Sequence, residues 1–536
     1  MYILGLSGGV LSGNQDGAAA LIHDGKVVCA CEEERLIGIK FASGLLPKHA
    51  IHFCLKNAGI TIQDVDGVVF AGETYKNFKE ILKNFFTLNF GHAPEIKLVN
   101  HHLAHAASSY YNSSFDEALI LTYDYSGDRI STMISHGKGS TITPLKIFNK
   151  PNSLGIYYSI LTQYLGFKKD SDEYKVMGMA AYGSPRLDLS WLLKPTETGY
   201  ELNTKYLKEN IRPDLPAPSK QEPIFNTLDF PYPPRLPGQA ITQYHYDVAC
   251  SGQKHLENVV THLVKTFQKQ VPTSNICVAG GVGLNCLANQ AIKDLPSVAQ
   301  FYAPPVCSDA GISLGGAILE TLQRGIVYHP ITHAYLGPQY SHKEIEELLK
   351  RSKLKYQKVD NISKKAADQL AQGKIIGWFQ GRCEFGPRAL GNRSILANPQ
   401  DFEMKDKLNY YIKFRESFRP FAPAVLRTKA QDYFKGCSYA PFMTETYSVL
   451  DKTKKRAPAI CHEDGTARVQ TVDEASNPKF YKLIQSFEAN TGLPMVVNTS
   501  LNSYGDVMNC QPHQAIQTFF STGLDGLAIE DFYLEK

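Results

Sequence analysis

Three histidines within five residues form the strongest chemical signal in the sequence. An apolar segment at residues 96–99 ends at Asn100, a residue type that favours the start of a helix, and the alanines and serines after it favour continuation of the helix. His101 and His105 are four residues apart, so they share one face of that predicted helix. Two imidazoles on one face suit zinc, iron, copper or nickel. The plainer interpretation is a histidine-rich helix start without a ligand, but the predicted strand-to-helix junction favours a metal site.

Several classes of protein are disfavoured. A zinc peptidase needs a glutamate directly after the first histidine, and this chain has His102 there. The 536-residue chain is 43% hydrophobic and 20% charged, a balance typical of globular proteins. Its net charge of +4 gives no reason to expect nucleic acid or an anionic membrane as a partner. The longest apolar runs, such as residues 118–121, have the length of a strand and are too short to span a bilayer.

The N-terminal residues and the cysteines lead us to expect a cytoplasmic location. The N-terminal residues lack a basic region and have the pattern of a buried strand, so no signal peptide is predicted. The 11 cysteines are scattered and include no Cys-x-x-Cys motif. We therefore expect all of them to be reduced thiols.

The chain is too long for one hydrophobic core, and its pattern predicts an α/β protein. We place a domain boundary near residue 340, where the character of the sequence changes, which gives domains 1–340 and 341–536. Residues 213–237 contain eight prolines. They indicate an irregular excursion rather than a domain joint, because a regular pattern resumes after them.

The first domain contains two copies of one pattern. Residues 2–31 predict a strand, a glycine-rich loop and a hairpin with an Asp-Gly turn, and residues 118–135 repeat a strand, an acidic glycine turn and a returning strand. This duplication is the plan of actin-like ATPases, in which two βββαβα units flank a nucleotide cleft. Glycine turns cradle phosphates and their aspartates hold metal. The charged run at residues 32–35 indicates either a solvated edge or the rim of a polar substrate site.

A further glycine-rich turn follows the predicted strand at residues 275–278. Glycines there let the backbone approach a ligand, with a helix N-terminus behind them for a phosphate. A tight turn alone would explain these glycines equally well. Residues 308–311 repeat the arrangement, with a carboxylate at a glycine turn before a helix. The candidate nucleotide-binding residues are Gly280, Gly281, Gly283 and Asn285.

The second domain is dense in cations beside glycines and hydroxyl groups. Arginine forks match the geometry of phosphate and carboxylate, whereas the plainer interpretation is a set of surface salt bridges. Residues 385–394 alternate apolar, special-backbone and cationic residues, as anion-binding loops do. The cations are Arg382, Arg388, Arg393, Lys413, Arg415, Arg419 and Arg468.

With these motifs, the chain resembles the O-carbamoyltransferases, the family that includes the nodulation-factor, tobramycin, novobiocin and cephalosporin carbamoyltransferases. The shared motifs occur in family order across nearly the whole chain. They occupy residues 32–35, 101–105, 175–183, 280–285, 384–393, 417–421, 464–470 and 497–502.

The resemblance implies a fold and a reaction. The first domain would be an actin-like ATPase domain of the ASKHA type, as in the tRNA threonylcarbamoylation machinery, and the second would be YrdC-like. Carbamoyl phosphate and ATP with Mg²⁺ would give carbamoyladenylate and pyrophosphate in the second domain. The carbamoyl group would then pass to a hydroxyl of a small-molecule or glycan acceptor at a centre holding Fe²⁺ or a similar divalent metal in the first.

The resemblance also implies residues for both sites. The metal ligands would be His101, His105, Asp124 and Asp309. The residues that hold carbamoyl phosphate and carbamoyladenylate would be Arg388, Lys413, Arg419, Arg468, Asn498 and Ser500.

Asp16, Lys40 and Arg419 are the candidate catalytic residues. Asp16 lies in the first glycine loop and is the candidate general base, although an aspartate there also suits a turn without any catalytic role. Lys40 lies near a position where the family often has a basic residue. Phe41 stands where a histidine is expected after it, and Tyr174 stands where a glycine is usual, so the chain departs from the family pattern at both places.

Two alternative functions stay open. One is carbamoyl transfer to a protein side chain, as in hydrogenase maturation, although that system also carries an acylphosphatase domain and Cys-x-x-Cys motifs that this chain lacks. The other is a non-catalytic nucleotide-binding assembly module. The sequence does not identify the acceptor, for which a sugar or polyol hydroxyl is the default expectation. A homodimer is expected from the family alone.

Overall fold

The computed structural model describes residues 1–11, 13–208 and 222–536. The chain forms two compact units, the first from Met1–Glu33 and Phe41–Ile331 and the second from Glu34–Lys40 and Thr332–Lys536. Residues 34–40 and 332–340 group with the second unit, whereas the boundary near residue 340 predicted from the sequence would leave them in the first domain. Residues 213–221 of the proline-rich stretch lie outside the described residues.

Residues 34–40 belong to the second unit because side chains bond them to it. The Arg35 guanidinium donates a hydrogen bond to the Gly386 carbonyl at 2.8 Å, and the Gln511 amide donates to the Leu36 carbonyl at 3.0 Å. The Leu36 side chain also packs on a small buried cluster of that unit. These contacts join residues far apart in the chain, so local sequence patterns do not reveal them.

The first unit contains two five-stranded sheets with the same topology. The first sheet has the order β3-β2-β1-β4-β5 and the second has the order β12-β11-β6-β7-β8. In each, a central strand pairs antiparallel with a meander on one side and parallel with two further strands on the other. The predicted duplicated actin-like plan is therefore confirmed. The strands are β1 (Tyr2–Leu6), β2 (Ala18–His23), β3 (Lys26–Glu32), β4 (Gly67–Ala71), β5 (Ile96–Val99), β6 (Glu117–Gly127), β7 (Ile130–Lys138), β8 (Thr141–Asn149), the separate hairpin β9 (Leu193–Thr196) and β10 (Gly199–Leu202), β11 (Asn275–Ala279) and β12 (Gln300–Tyr302).

Two helices at the centre of the first unit approach each other very closely. A Cβ atom added at Gly315 of α9 would lie 1.8 Å from the Ala104 carbonyl oxygen of α4, and one added at Gly5 of β1 would lie 1.8 Å from the Ser313 carbonyl oxygen of α9. These glycines therefore fix α9 against both α4 and the first sheet. The helices are α1 (Glu33–Ile37), α2 (Lys48–Ala58), α3 (Phe78–Phe90), α4 (His101–Tyr110), α5 (Leu154–Tyr164), α6 (Glu173–Ala180), α7 (Gln243–Phe267), α8 (Cys286–Lys293) and α9 (Ala310–Gln323).

The second unit is an α/β domain around one mixed eight-stranded sheet of order β13-β22-β21-β14-β15-β20-β16-β19, which agrees with the YrdC-like expectation. Its helices are α10 (His342–Arg351), α11 (Ile362–Ala371), α12 (Met404–Lys407), α13 (Asp451–Arg456), α14 (Pro478–Thr491) and α15 (Pro512–Ser521). Its strands are β13 (Gln357–Lys358), β14 (Ile376–Phe379), β15 (Arg393–Ala397), β16 (Ala422–Leu426), the pair β17 (Tyr447–Ser448) and β18 (Thr466–Ala467), β19 (Gln470–Val472), β20 (Met495–Ser500), β21 (Gly526–Ile529) and β22 (Phe532–Glu535).

Two further expectations concern the chain as a whole. All of the cysteines are free thiols, as the sequence predicts. Within the described ranges, none of the helices is both long enough and apolar enough to cross a membrane.

Candidate metal and anion sites

Four side chains of the first unit converge on one point. His101 and His105 project from α4, Asp124 from β6, and Asp309 from the residue before α9. One possible ligand atom from each lies within 4.8 Å of the other three. The structure therefore brings together the four residues that the family resemblance implies as metal ligands.

The facing atoms of this cluster are close but not hydrogen-bonded. His105 Nε2 lies 3.2 Å from Asp124 Oδ2 and 3.4 Å from Asp309 Oδ1, and His101 Nε2 lies 3.6 and 3.5 Å from the same two atoms. Both Nε2 atoms and Asp124 Oδ2 are buried and have no hydrogen bond. Ligands that are each about 2.1 Å from one ion lie about 3.0–3.5 Å apart. The residues therefore fit a divalent metal with imidazole and carboxylate ligands.

The charges within the cluster influence one another strongly. Burial by itself lowers the pKa of His105, but the carboxylates of Asp124 and Asp309 outweigh burial and raise this pKa to about 9. Burial raises the pKa of Asp124, whereas His101 and His105 hold it well below its usual range. Positive charge is thus favoured at the centre of the cluster, as a metal site requires.

The start of α4 follows from its local sequence. The Asn100 side chain accepts a hydrogen bond from the Leu103 backbone N–H at 3.1 Å, which confirms the predicted helix cap. His102 turns away from the cluster, because its ring is hydrogen-bonded to the Thr122 hydroxyl and the Ile130 carbonyl. Of the three histidines, this one has a structural role in holding α4 on the second sheet.

Glycines surround the cluster where the backbone comes closest. A Cβ atom at Gly127 would lie 2.1 Å from the His101 ring, and one at Gly281 would lie 3.0 Å from Asp124 Oδ1. Gly280 has a φ of 91°, in the region that favours glycine. A Cβ at Gly283 would make only ordinary van der Waals contact. The glycine turn singled out in the sequence therefore lies directly beside the candidate metal ligands.

Asn285, the last residue of that turn, uses its side chain within the protein. Its Oδ1 caps α8 by accepting from the Ala288 N–H, and its amide group exchanges two hydrogen bonds with the Gln253 amide. The Tyr158 hydroxyl donates to Gln253 in turn. A role of Asn285 in nucleotide binding stays a prediction, and its side-chain amide already has these partners.

The catalytic candidate Asp16 lies in a loop, and Lys40 begins a short 3₁₀ helix, Lys40–Ala42. Asp16 has a φ of 53°, its carbonyl accepts from the Ser7 hydroxyl, and its N–H donates to the Phe41 carbonyl. Lys40 is exposed at the end of residues 34–40. The backbone geometry of Asp16 agrees with a turn-forming aspartate, so its role as a base stays a prediction.

The charged run at residues 32–35 is not a solvated edge. Glu32, Glu33 and Arg35 are each at most 5% exposed. The Glu33 carboxylate accepts hydrogen bonds from the backbone N–H groups of His49 and Ala50 and so caps the start of α2. A run of charged residues could not by itself reveal this contact, which depends on how α2 packs against β3.

In the second unit, Lys413 lies at the centre of a group of oxygen atoms. Its ammonium donates to the carbonyl and hydroxyl oxygens of Ser500 and to both oxygens of Asn502. Burial lowers the pKa of Lys413 well below its usual range, and Arg415 and Arg419 act in the same direction. A bound anion would relieve this repulsion, so the environment of Lys413 suits a phosphate.

Asn498 connects two of the sequence motifs beside this lysine. Its amide nitrogen donates to the Gln470 side chain at 2.7 Å and to the Ala389 carbonyl at 3.2 Å, and Gln470 donates to the Leu390 carbonyl. Asn498 is 1% exposed, and its Oδ1 has no hydrogen bond. A buried acceptor of this kind needs a donor from a ligand or from water.

Arg393 differs from the three arginines that the family resemblance assigns to the anion site. Arg393 is fully buried and donates to five backbone carbonyls, those of Pro338, Gln380, Gly381, Asn392 and Cys510. The expectation that Arg393 belongs to an anion-binding loop is therefore wrong, since its donors hold the fold together. Arg388, Arg419 and Arg468 are each partly exposed at the edges of the segments that carry Ala389, Lys413 and Gln470.

A cavity of about 490 Å³ adjoins the segment around Lys413. Aromatic rings dominate its lining, and all four of them, Tyr410, Tyr411, Phe414 and Tyr504, are more than half exposed. This cavity and the roles of Gln470 and Asn502 were not predicted. Gln470 and Asn502 are the last residues of two family motifs, 464–470 and 497–502. Membership of these motifs was the sequence feature that could have indicated their roles. The lining residues are Asn409, Tyr410, Tyr411, Phe414, Arg415, Glu416 and Tyr504.

The fold and these two sites define the class of protein: a duplicated actin-like domain with a metal-type cluster, joined to an α/β domain with an anion-type site. The family model described as Carbamoyltransferase N-terminus matches residues 3–90 and 71–318, and the one described as Carbamoyltransferase C-terminus matches residues 367–536. The chain belongs to the carbamoyltransferase family and is an enzyme of that family.

The chain is also similar to individual proteins. The chain is 35% identical to an uncharacterised protein of Synechocystis over all of this chain and 97% of that protein. It is 34% identical to the nodulation protein NolNO of Sinorhizobium fredii over all of this chain and 83% of that protein. Among solved structures, HypF of T. kodakarensis covers 61% of this chain and 48% of its own, with 17% identity and a TM-score of 0.35.

Proposed function

We propose that this carbamoyltransferase uses carbamoyl phosphate and ATP to carbamoylate a hydroxyl group of a small-molecule or glycan acceptor. In the second unit, water would release phosphate from carbamoyl phosphate, the resulting carbamate oxygen would attack the α-phosphorus of ATP, and pyrophosphate would leave. In the first unit, the acceptor oxygen would attack the carbonyl carbon of carbamoyladenylate. AMP would leave, and a base would take the hydroxyl proton.

The second-unit residues suit the first step. Lys413, Arg388, Arg419 and Arg468 would bind the phosphates and stabilise negative charge on the departing pyrophosphate. The unpaired Oδ1 of Asn498 would accept a hydrogen bond from the carbamoyl NH₂ group. The aromatic cavity would receive the adenine base by stacking, which typically contributes about 1–3 kcal/mol per base.

The first-unit residues suit the second step. His101, His105, Asp124 and Asp309 would hold Fe²⁺ or a similar divalent ion, which would supply a Lewis acid for the carbonyl or phosphate oxygen. Gly280, Gly281 and Gly283 would let the backbone approach the nucleotide phosphate. Asp16 would accept the proton of the acceptor hydroxyl.

One observation supports this proposal most strongly: three buried atoms of the His–Asp cluster face a common point without any hydrogen bond. Buried ionisable groups left in this state are costly for folding. A non-catalytic assembly module has no need of such a set, so the observation favours an enzyme with a catalytic metal.

The test is pyrophosphate release from ATP with and without carbamoyl phosphate, with no acceptor present. We expect release that depends on carbamoyl phosphate and is lost in Arg419→Ala. Arg427→Ala is the matched control, because Arg427 is a surface arginine that pairs with Asp473 at 3.2 Å. No release from folded, metal-loaded protein would contradict an acceptor-independent first step. It would favour either an assembly module or an enzyme that requires its acceptor to be bound first.

A second assay addresses the acceptor. Labelled carbamoyl phosphate is supplied with polyols and sugars in one reaction and with proteins in another. Label on a polyol or sugar hydroxyl supports the proposal, whereas label only on a protein side chain supports the alternative transfer reaction.

A further inference from the structure

We propose that Asp128 is a positioning residue that holds the metal-binding face of α4 in place; this inference rests on the proposed metal site. Asp128 is 7% exposed. Its Oδ2 accepts hydrogen bonds from the backbone N–H of His101 at 2.8 Å and of Glu73 at 3.0 Å. Its Oδ1 accepts from the backbone N–H of Thr74 at 2.9 Å and from the Thr74 hydroxyl at 3.0 Å. One carboxylate thus joins three separate segments of the first unit.

The contact with His101 acts on the first residue of α4. The first four N–H groups of a helix have no partner within the helix, and a negative charge beside them is favourable. Asn100 satisfies the N–H of Leu103, whereas the N–H of His101 depends on Asp128. The carboxylate therefore fixes the residue whose imidazole is a candidate ligand.

The position of Asp128 in the fold adds to its effect. Asp124 lies on β6, and Asp128 follows in the turn that joins β6 to β7. The same hairpin therefore supplies one candidate ligand and the carboxylate that holds the helix carrying two others. Through this hairpin, Asp128 sets the separation between Asp124 and His101.

Asp128 also connects the histidine helix to the first glycine loop. The loop that it holds at residues 73–74 continues into Tyr75, whose hydroxyl accepts from the Asn14 amide at 2.7 Å, and Asn14 accepts from the Leu11 N–H. Burial raises the pKa of Tyr75 to about 12, with the negative charges of Asp309 and Asp128 contributing. Tyr75 therefore lies within the field of a candidate ligand, and the network ends at the loop that contains Asp16.

Loss of the carboxylate would leave the N–H groups of His101, Glu73 and Thr74 without an acceptor. In Asp128→Asn, one oxygen remains and the NH₂ group faces donors, so at least one bond is lost and one repulsion is added. The start of α4 would then be free to shift. Partners that orient metal ligands typically change metal affinity by about 10- to 100-fold when they are mutated.

The experiment is a titration of the metal-free full-length protein with Co²⁺, followed by visible absorption. We expect Asp128→Asn to bind Co²⁺ about 10- to 100-fold more weakly than wild type and with an altered spectrum. Asp64→Asn is the matched control, because Asp64 also accepts a backbone N–H and a hydroxyl, both from Thr61, at an exposed site. It should bind Co²⁺ as wild type does. Asp64→Asn should also leave pyrophosphate release in the absence of acceptor unchanged.

Three outcomes overturn the inference in different ways. Wild-type affinity and spectrum in folded Asp128→Asn would show that Asp128 has no positioning role, and would leave the proposed function intact. Failure of wild type itself to bind Co²⁺ would overturn the metal centre, and this inference with it. Lowered thermal stability with unchanged Co²⁺ affinity would mean a structural role only, and would also contradict the inference.

A second variant and a second measurement cover the case in which Asp128→Asn does not fold. Thr74→Val removes one of the four hydrogen bonds while leaving the carboxylate, and we expect it to weaken Co²⁺ binding by a few-fold, about the loss of one modest hydrogen bond. Amide hydrogen exchange of wild type should show protection at His101 and Thr74. Unchanged affinity in Thr74→Val, or unprotected exchange at His101, would contradict the inference.

Discussion

The two candidate sites differ in the charge of the ligand that their surroundings favour. In the first unit, carboxylates and imidazoles converge, and their facing atoms have no hydrogen-bond partner. In the second unit, Lys413 has four oxygen contacts, and its pKa is lowered first by burial and then by the neighbouring arginines. The first arrangement favours a cation and the second an anion. In the proposed function, the metal chemistry and the phosphate chemistry therefore belong to different units of one chain.

The two sites also differ in how their residues are held. In the first unit, the candidate ligands come from the ends of regular elements, namely the start of α4, the end of β6 and the start of α9. In the second unit, loops provide most of the residues, and side chains such as Gln470 and Arg393 bond these loops to the backbone. A site at the ends of packed elements is sensitive to helix position, whereas a site on loops is sensitive to the loss of single hydrogen bonds.

The largest expected effect comes from removing a candidate metal ligand. His105→Ala should lower acceptor carbamoylation by about 10²- to 10³-fold, because a bound metal contributes several kcal/mol of charge stabilisation in a transition state. Pyrophosphate release in the second unit should remain. Parallel assays of the two half-reactions measure this difference. Equal loss of both would contradict the assignment of the two half-reactions to separate units.

The complementary change is Lys413→Met. Loss of a buried cation at a site of developing negative charge should lower pyrophosphate release by about 10²-fold. Co²⁺ binding by the first unit should be unchanged. Lys454→Met is the control, because Lys454 is an exposed lysine that pairs with Asp451. Normal pyrophosphate release in Lys413→Met would remove the basis for a phosphate site there.

A smaller effect tests how sensitive the first site is to packing. Gly127→Ala would place a methyl group against the His101 ring. We expect Co²⁺ affinity to fall by about 10-fold, near the lower end of the range for residues that orient ligands. In Gly283→Ala, the added methyl group makes only ordinary contact, so Co²⁺ affinity should be retained. Equal affinities in the two variants would show that the His101 ring adjusts freely.

The substitution with the smallest expected effect on activity is at His462. It should instead change the stability of the second unit in acid. Burial lowers the pKa of His462 to about 4, with Arg468 and Lys405 acting in the same direction against Asp464. The folded-state pKa lies below the unfolded value of about 6.5, so the neutral ring stabilises the fold fully above pH 6.5, and this contribution is lost as pH falls toward 4.

His462→Gln should therefore reduce the acid-dependent loss of unfolding free energy between pH 6.5 and 4 by about 2 kcal/mol. Activity at pH 7.5 should change by no more than about two-fold, because the ring is neutral in wild type at that pH. Urea unfolding at a series of pH values measures the difference. An unchanged loss of stability in acid would contradict the conclusion that burial, helped by Arg468 and Lys405, keeps the His462 ring neutral in the folded protein.

Much of the fold and part of the candidate metal site could be predicted from the sequence. The spacing of His101 and His105, the cap at Asn100 and the repeated strand-and-hairpin pattern depend on nearby residues, because capping and periodicity are local effects. The sequence motifs indicated the family. The family resemblance, rather than residue spacing, then implied Asp124 and Asp309 as candidate ligands.

Only the tertiary structure decided how these parts meet. The glycines of α9 and β1 allow the close packing that brings Asp309 beside α4, and the turn after β6 brings Asp128 to the first N–H of that helix. The burial of Arg393, which binds backbone carbonyls, distinguishes its structural role from that of the partly exposed Arg388, Arg419 and Arg468. Residue types and local spacing are written in the sequence, whereas the distance between atoms far apart in the chain is set by packing, which no local pattern records.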